Sequence, residues 1–209
     1  NLETHSGTAG PKVLSINVTG GTKILDKIYT GTRKPTIEVQ FFEPAIATFA
    51  NLVSANGKLT LSLQLSDTLS TKATFSIKDT LPDGEYIFKL NAKSEDNIFM
   101  DPPSSQAIVI DTTNPELNVI PSNGAILDKT VVTLQLAFSE EVIINSIKLN
   151  SDDIKDKFTT SNNKVFTASQ NLTDGNKRLV VEAMDYAQNS VIKDTEFIVD
   201  ARPTEINLV

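Results

Sequence analysis

The chain has 209 residues, with 19 Lys and Arg against 26 Asp and Glu, a formal net charge of −7, no Cys and a single His. Without Cys there is no disulfide framework, thiolate metal site or cysteine nucleophile, and the lone His5, in a small polar lead-in, builds neither an imidazole metal cluster nor a triad. No Lys/Arg run exceeds two residues and no apolar run approaches the ~18 that span a bilayer, so neither a nucleic-acid partner nor membrane insertion is expected of this stretch of sequence.

Residues 1–10 carry two Gly and no periodicity and read as a flexible lead-in. From Pro11 the pattern becomes short alternating runs. Residues 13–18 and 36–42 are strands with one buried face; in the second, Ile37, Val39 and Phe41 oppose Glu38 and Gln40. Residues 45–53 fit a strand or a short helix and are read as a strand. Asn56-Gly57 then signals a hairpin, because both residues accept positive φ, and residues 58–65 alternate after it. A further strand occupies residues 73–77.

Leu81-Pro82-Asp83-Gly84 is a tight turn feeding a strand with Tyr86, Phe88, Leu90 and Ala92 on one face. Those twelve or so residues resemble the strand-F start of fibronectin type III and related Ig-like sandwiches. The resemblance implies that Tyr86 makes a tyrosine corner, its ring in the core and its hydroxyl on nearby backbone.

The stretch Ile108-Val109-Ile110-Asp111-Thr112-Thr113-Asn114-Pro115 ends one apolar strand and starts another after a Pro turn, and it reads as a joint between domains. Similar punctuation returns at Phe197-Ile198-Val199-Asp200-Ala201-Arg202-Pro203. The expected organisation is therefore a domain over residues 11–112, a second over 113–200, and a linker or the start of a further repeat over 201–209. The plan repeats: Leu81, Asp83, Gly84, Phe88, Leu90 and Ala92 have counterparts 91 residues on in Leu172, Asp174, Gly175, Leu179, Val181 and Ala183. Tyr86 aligns with Lys177, so the second copy must secure its turn otherwise. Acidity is uneven: residues 11–112 hold 10 basic against 11 acidic residues, and residues 113–200 hold 8 against 13.

From Asp111-Thr112-Thr113-Asn114-Pro115, through Ile120-Pro121-Ser122-Asn123-Gly124-Ala125 and Phe138-Ser139-Glu140, to Asp185-Tyr186-Ala187-Gln188-Asn189, the chain resembles bacterial Ig-like domains of microbial surface proteins and adhesins. Gln188 stands where that family usually has Gly, which leaves Asn189 to take the left-handed conformation. The resemblance implies an all-β chain of two tandem Ig-like, fibronectin type III-like sandwiches, extracellular or on a cell surface. It implies non-catalytic modules acting as stalk, spacer or adhesion units, beside neighbouring Ig-like repeats and toward a surface protein or glycan. The alternative is a carbohydrate- or protein-binding accessory module of a larger secreted enzyme or receptor. No catalytic residue is assigned; with no Trp and three Tyr, the chain lacks the aromatic lining a glycosidase cleft requires.

Calcium is the cofactor the acidic residues could hold, and Asp96, Asp101 and Asp111 near the joint are the candidate ligands, weighed against ordinary turn hydrogen bonding. Asn17-Val18-Thr19 and Asn171-Leu172-Thr173 are glycan acceptor sequences, making Asn17 and Asn171 the candidates. Only Thr112, Thr113 and Asn114 separate Asp111 from a Pro that fixes its own φ and restricts Asn114, so a short, semi-rigid joint is expected. Small-angle scattering should give a maximum dimension near the sum of two sandwich lengths. A compact particle refutes the joint, and a profile unchanged by chelator removes calcium from it.

Overall fold

The computed structural model describes residues 9–202. The chain divides into two compact units, Asn1–Thr112 and Thr113–Val209. Among the described residues the sole helical piece is a single 3-10 turn, Lys155–Lys157; everything regular besides it is strand.

The first unit contains β1 (Val13–Val18), β2 (Gly21–Ile24), β3 (Lys27–Thr30), β4 (Thr36–Ser54), β5 (Thr60–Ser62), β6 (Ser70–Ser76), β7 (Gly84–Lys93) and β8 (Ser104–Ile110). They follow the order β1-β4-β7-β8-β3-β2, with β5 and β6 also on β4. The 19-residue β4 is what folds this ladder into two layers. Its first part pairs with β1 and β6 and its second with β5 and β7. Pro44, which has no N–H to donate, falls in the register break between Gln40 and Ala45, where the β6 ladder is interrupted. A second irregularity between Ala47 and Phe49 inserts one residue and so reverses the side-chain parity. Before it Ile37, Val39, Phe41, Ala45 and Ala47 face the core; after it Ala50 and Leu52 do, and Phe49 is left 40% exposed. The ambiguous stretch 45–53 is thus strand. The alternation over 58–65 yields only the three residues of β5, because Leu63 N–H is the last to reach β4, at Ala50 O, before the chain crosses to β6.

The lead-in expected over residues 1–10 lies largely outside the described residues. Its end is fixed: a Cβ on Gly10 would stand 1.9 Å from the Phe99 carbonyl oxygen, so only glycine fits there.

The second unit contains β9 (Leu117–Ile120), β10 (Ile126–Leu127), β11 (Val131–Phe138), β12 (Ile143–Leu149), β13 (Asp152–Asp153), β14 (Thr159–Thr160), β15 (Val165–Asn171), β16 (Gly175–Met184) and β17 (Ser190–Val199). One sheet runs β14-β15-β11-β9 and the other β10-β17-β16-β12-β13. The core lies between them, with Leu134, Leu136, Ile147, Leu179, Val181 and Phe197 at 1% exposure or less. Alternation along β11, β12, β16 and β17 puts these side chains on the inner faces, as two packed antiparallel layers require.

The two units start their central strands alike. Gly84 and Gly175 take φ of +148° and +107° at equivalent turns. In the first unit Tyr86 is 3% exposed and its hydroxyl donates to Pro82 O at 2.8 Å, the corner expected of it. Burial, and then the Asp83 carboxylate, push the phenol above its ordinary pKa, so it stays a donor. In the second unit Lys177 does the same work: it is 7% exposed, and its ammonium donates to Asp174 O and Thr173 Oγ1, each at 3.4 Å. Phe88→Ala, emptying a site at 0% exposure and losing the Phe75 ring 5.5 Å away, should cost about 3–5 kcal/mol in denaturant melts, and Val181→Ala less. A neutral result for either overturns its strand-face assignment.

Candidate functional site

The β7–β8 ladder separates the three carboxylates proposed for calcium. Ile110 pairs with Gly84 at one end and Ser104 with Leu90 at the other. Asp111 follows the first end, its N–H donated to Thr30 O at 3.0 Å. Asp96 lies in the loop beyond Lys93, and Asp101 precedes Ser104 at the far end. The seven residues of β8, at about 3.3 Å each, put roughly 20 Å between Asp111 and the other two. Asp96, Asp101 and Asp111 therefore do not form one coordination sphere. Proximity in sequence to a domain boundary is not proximity to one end of a hairpin.

Asp96 lies in a loop closed by bonds among its neighbours. In the loop that holds it, Ser94 N–H donates to Ile98 O at 3.0 Å, Asn97 N–H to Ser94 O at 3.1 Å, and Ile98 N–H to Ser94 Oγ at 3.3 Å. The second unit repeats this bond for bond. Asp185 N–H donates to Asn189 O at 3.0 Å, Gln188 N–H to Asp185 O at 3.2 Å, and Asn189 N–H to Asp185 Oδ1 at 2.9 Å. Asn97 and Gln188 occupy the matching left-handed position, with φ of 61° and 72°. Gln188 itself, and not Asn189, adopts the conformation for which glycine is favoured. Asp185, 2% exposed, also receives Asn189 Nδ2 on Oδ2 at 2.8 Å, so both of its carboxylate oxygens hold the loop. Glu140 brings a carboxylate oxygen within 4.8 Å of that of Asp185.

A second repeated device sits at the other end of the same strands. Asp83 Oδ2 accepts the backbone N–H of Thr112 at 3.0 Å, just past β8, and both its oxygens accept the Thr112 hydroxyl; Arg33 flanks the carboxylate at 3.1 Å. In the second unit Asp174 Oδ1 accepts the Ala201 N–H at 2.9 Å, just past β17. Asp200, beside it, pairs with Arg202, and that hydrogen bond holds its carboxyl below the usual value. Each exit is also pinned to an early strand running parallel to the last one. β3 pairs with β8 over four registers, Lys27↔Ala107 to Thr30↔Ile110, and β10 with β17 over two, Ile126↔Ile198 and Leu127↔Val199. Beside the first, Lys27 Nζ donates to Glu85 Oε2 at 2.7 Å, a bond that raises the lysine's pKa.

The second unit also holds a cavity of about 490 Å³ beside β12, with Val142, Ile147, Phe158 and Phe166 among its lining and Lys155 and Tyr186 at its rim. Tyr186 donates to Glu141 Oε2 at 3.0 Å. β12 is bonded along its length to β16, but β13 covers only Lys148 and Leu149 on its other side, so the two sheets part here. Asn17 lies exposed on β1 opposite Glu38, and Asn171 lies exposed at the end of β15.

Two antiparallel layers, one with strands in the order of an A-B-E-D sheet and one in the order of a C-F-G sheet extended by a parallel first-strand segment, define the second unit as an immunoglobulin or fibronectin type III-like β-sandwich. The first unit shares its central hairpin, corner and parallel exit strand. No family model matches the chain, and no curated protein does. Among solved structures, fibronectin(III)-like modules of Clostridium thermocellum CbhA match with 11% identity over 93% of this chain and 100% of theirs, at a TM-score of 0.47. A three-Ig segment of titin matches at 15% identity over 92% of this chain and 66% of its own, at 0.43. The N-terminal part of the bacterial S-layer protein SbsC matches at 13% identity over 91% and 44%, at 0.33. It is the strand order of each unit that gives the class.

Asp83→Ala and Asp174→Ala should each cost its own unit about 1–2 kcal/mol, the range for losing a charge-assisted hydrogen bond at a half-exposed site. Hydrogen exchange should accelerate first at the Thr112 and Ala201 amides. Unchanged protection at those amides refutes the clamps.

Proposed function

We propose that the two units are non-catalytic modules of a microbial cell-surface or secreted protein that serve as spacer or adhesion units, transmitting load along the chain. The observation that carries this reading is the doubled exit: each unit spends a carboxylate and a parallel strand pair on holding the chain where it leaves the fold. In a parallel pair, the start of the early strand and the end of the last strand lie at opposite ends. A pull on the two chain ends then loads the hydrogen bonds together in shear instead of opening them one by one. The first unit offers four registers and the second two. Partners under this reading are neighbouring repeats of the same protein and a surface protein or glycan.

A second reading, an accessory module that binds carbohydrate or protein, is favoured by the cavity beside β12, whose volume is in the range of ligand sites. A glycan panel and a peptide panel screened by chemical-shift changes at Ile144, Phe158 and Tyr186 separate the two readings.

Pulled from its ends in a force spectrometer, the chain should give two unfolding events, with the second unit yielding at the lower force. Asp174→Ala should lower that force further without moving the other peak. If neither unit resists above instrument noise, the load-bearing reading fails.

A further inference from the structure

The turn joining β4 to β5 is closed through Ser54 Oγ, which accepts the Leu59 N–H at 2.9 Å, and it holds the Asn56 side chain in an Asx turn. Asn56 Oδ1 accepts the Ser54 hydroxyl at 2.8 Å and the Lys58 backbone N–H at 3.0 Å. Two donors on one amide oxygen draw electron density from Cγ. They also stand at the distances at which donors stabilise an oxygen that becomes negative when a nucleophile adds to its carbon. The nucleophile is next in the chain: the backbone nitrogen of Gly57, with nothing within 4 Å of the place a Cβ would occupy.

From this geometry we infer that Asn56 is a site of self-modification, converted through a cyclic imide with Gly57 to aspartate or isoaspartate. The Gly57 nitrogen bonds to Asn56 Cγ, and its proton departs with the side-chain amide nitrogen as ammonia. Water then adds to either carbonyl of the five-membered imide and breaks one of its two C–N bonds. Opening on one side leaves aspartate; opening on the other routes the main chain through the side-chain carbon and leaves isoaspartate. No oxidant or reductant enters, and either product adds one negative charge beside Lys58. Isoaspartate also lengthens the main chain inside a turn closed by Ser54 N–H on Leu59 O at 2.9 Å.

One hydrogen bond holds the attacking nitrogen. Gly57 N–H is donated to Ser54 O at 2.8 Å, so attack needs the peptide between residues 56 and 57 to swing off that carbonyl. The turn is exposed; β5 holds it through three registers, and Ala55 N–H is donated to Glu85 O at 2.8 Å. Asn123-Gly124 is the internal comparison. There Asn123 Oδ1 accepts one donor, Glu196 N–H at 2.9 Å, where Asn56 Oδ1 accepts two, and Gly124 N–H is donated to Glu196 O at 2.7 Å on β17, a ten-residue strand flanked on both sides, where Gly57 N–H is donated within its own turn.

The test holds the intact chain in warm, mildly alkaline buffer and follows both sites by peptide mapping with mass spectrometry that separates asparagine, imide, aspartate and isoaspartate. Asn56 should convert several-fold faster than Asn123 in the folded chain, and the ratio should collapse in urea. Ser54→Ala should slow Asn56 several-fold and Ser54→Thr should restore it, with thermal melts establishing that both variants fold. Equal native rates at the two sites overturn the inference. So does a ratio that survives unfolding, or a Ser54→Ala chain that reacts as fast as the parent or faster.

Discussion

The two central hairpins, β7 with β8 and β16 with β17, depend on where the last strand stops. An unpaired backbone N–H at a strand end frays, and fraying there would release the strand that carries Ile108 and Ile110 in one core, or Phe197 and Val199 in the other. The first N–H beyond each strand goes to Thr30 O or Leu127 O, and Asp83 and Asp174 accept the second. Each sits in the turn that starts the neighbouring strand, so one residue sets the beginning of one strand and the end of the next. The corner side chain a few residues on fixes the same turn from inside. Register along the whole hairpin follows, because a slip of one residue would send the alternating apolar set to solvent.

That corner can be filled by two unlike side chains. A tyrosine delivers a ring to the core and a hydroxyl to a carbonyl. A lysine delivers a four-carbon stem and an ammonium that reaches the equivalent turn. Tyr86 is the better packed solution, and its single 2.8 Å bond is shorter than either 3.4 Å contact of Lys177. What the fold requires is therefore an apolar stem with a donor at its tip.

Much of this was legible in the sequence. Alternation located the strand over residues 36–42 and the strand that follows Gly84, and the 91-residue echo showed that Asp83 and Gly84 recur as Asp174 and Gly175. The corner was readable at Tyr86 because the turn before it and the apolar spacing after it are local. The single long β4 was not readable, since Pro44 and the inserted residue near Ala47 break the alternation into pieces that look like separate elements. The length of β5 was over-read for a related reason: alternation over 58–65 reports which side chains could face a core, while pairing depends on how far β4 stays alongside.

The acidic residues show where such reading stops. Asp96, Asp101 and Asp111 stand close along the chain, yet a hairpin places the first two at one end and the third at the other. The carboxylate that matters for the β7–β8 exit, Asp83, is 28 residues before Asp111 and looked like an ordinary turn residue. Its partner is a backbone N–H, which carries no sequence signal at all. The repeat was the one available clue: an aspartate kept at the same offset in two copies whose corner residue has changed from Tyr to Lys is held by something other than the corner. In the structure that something is the chain's own exit.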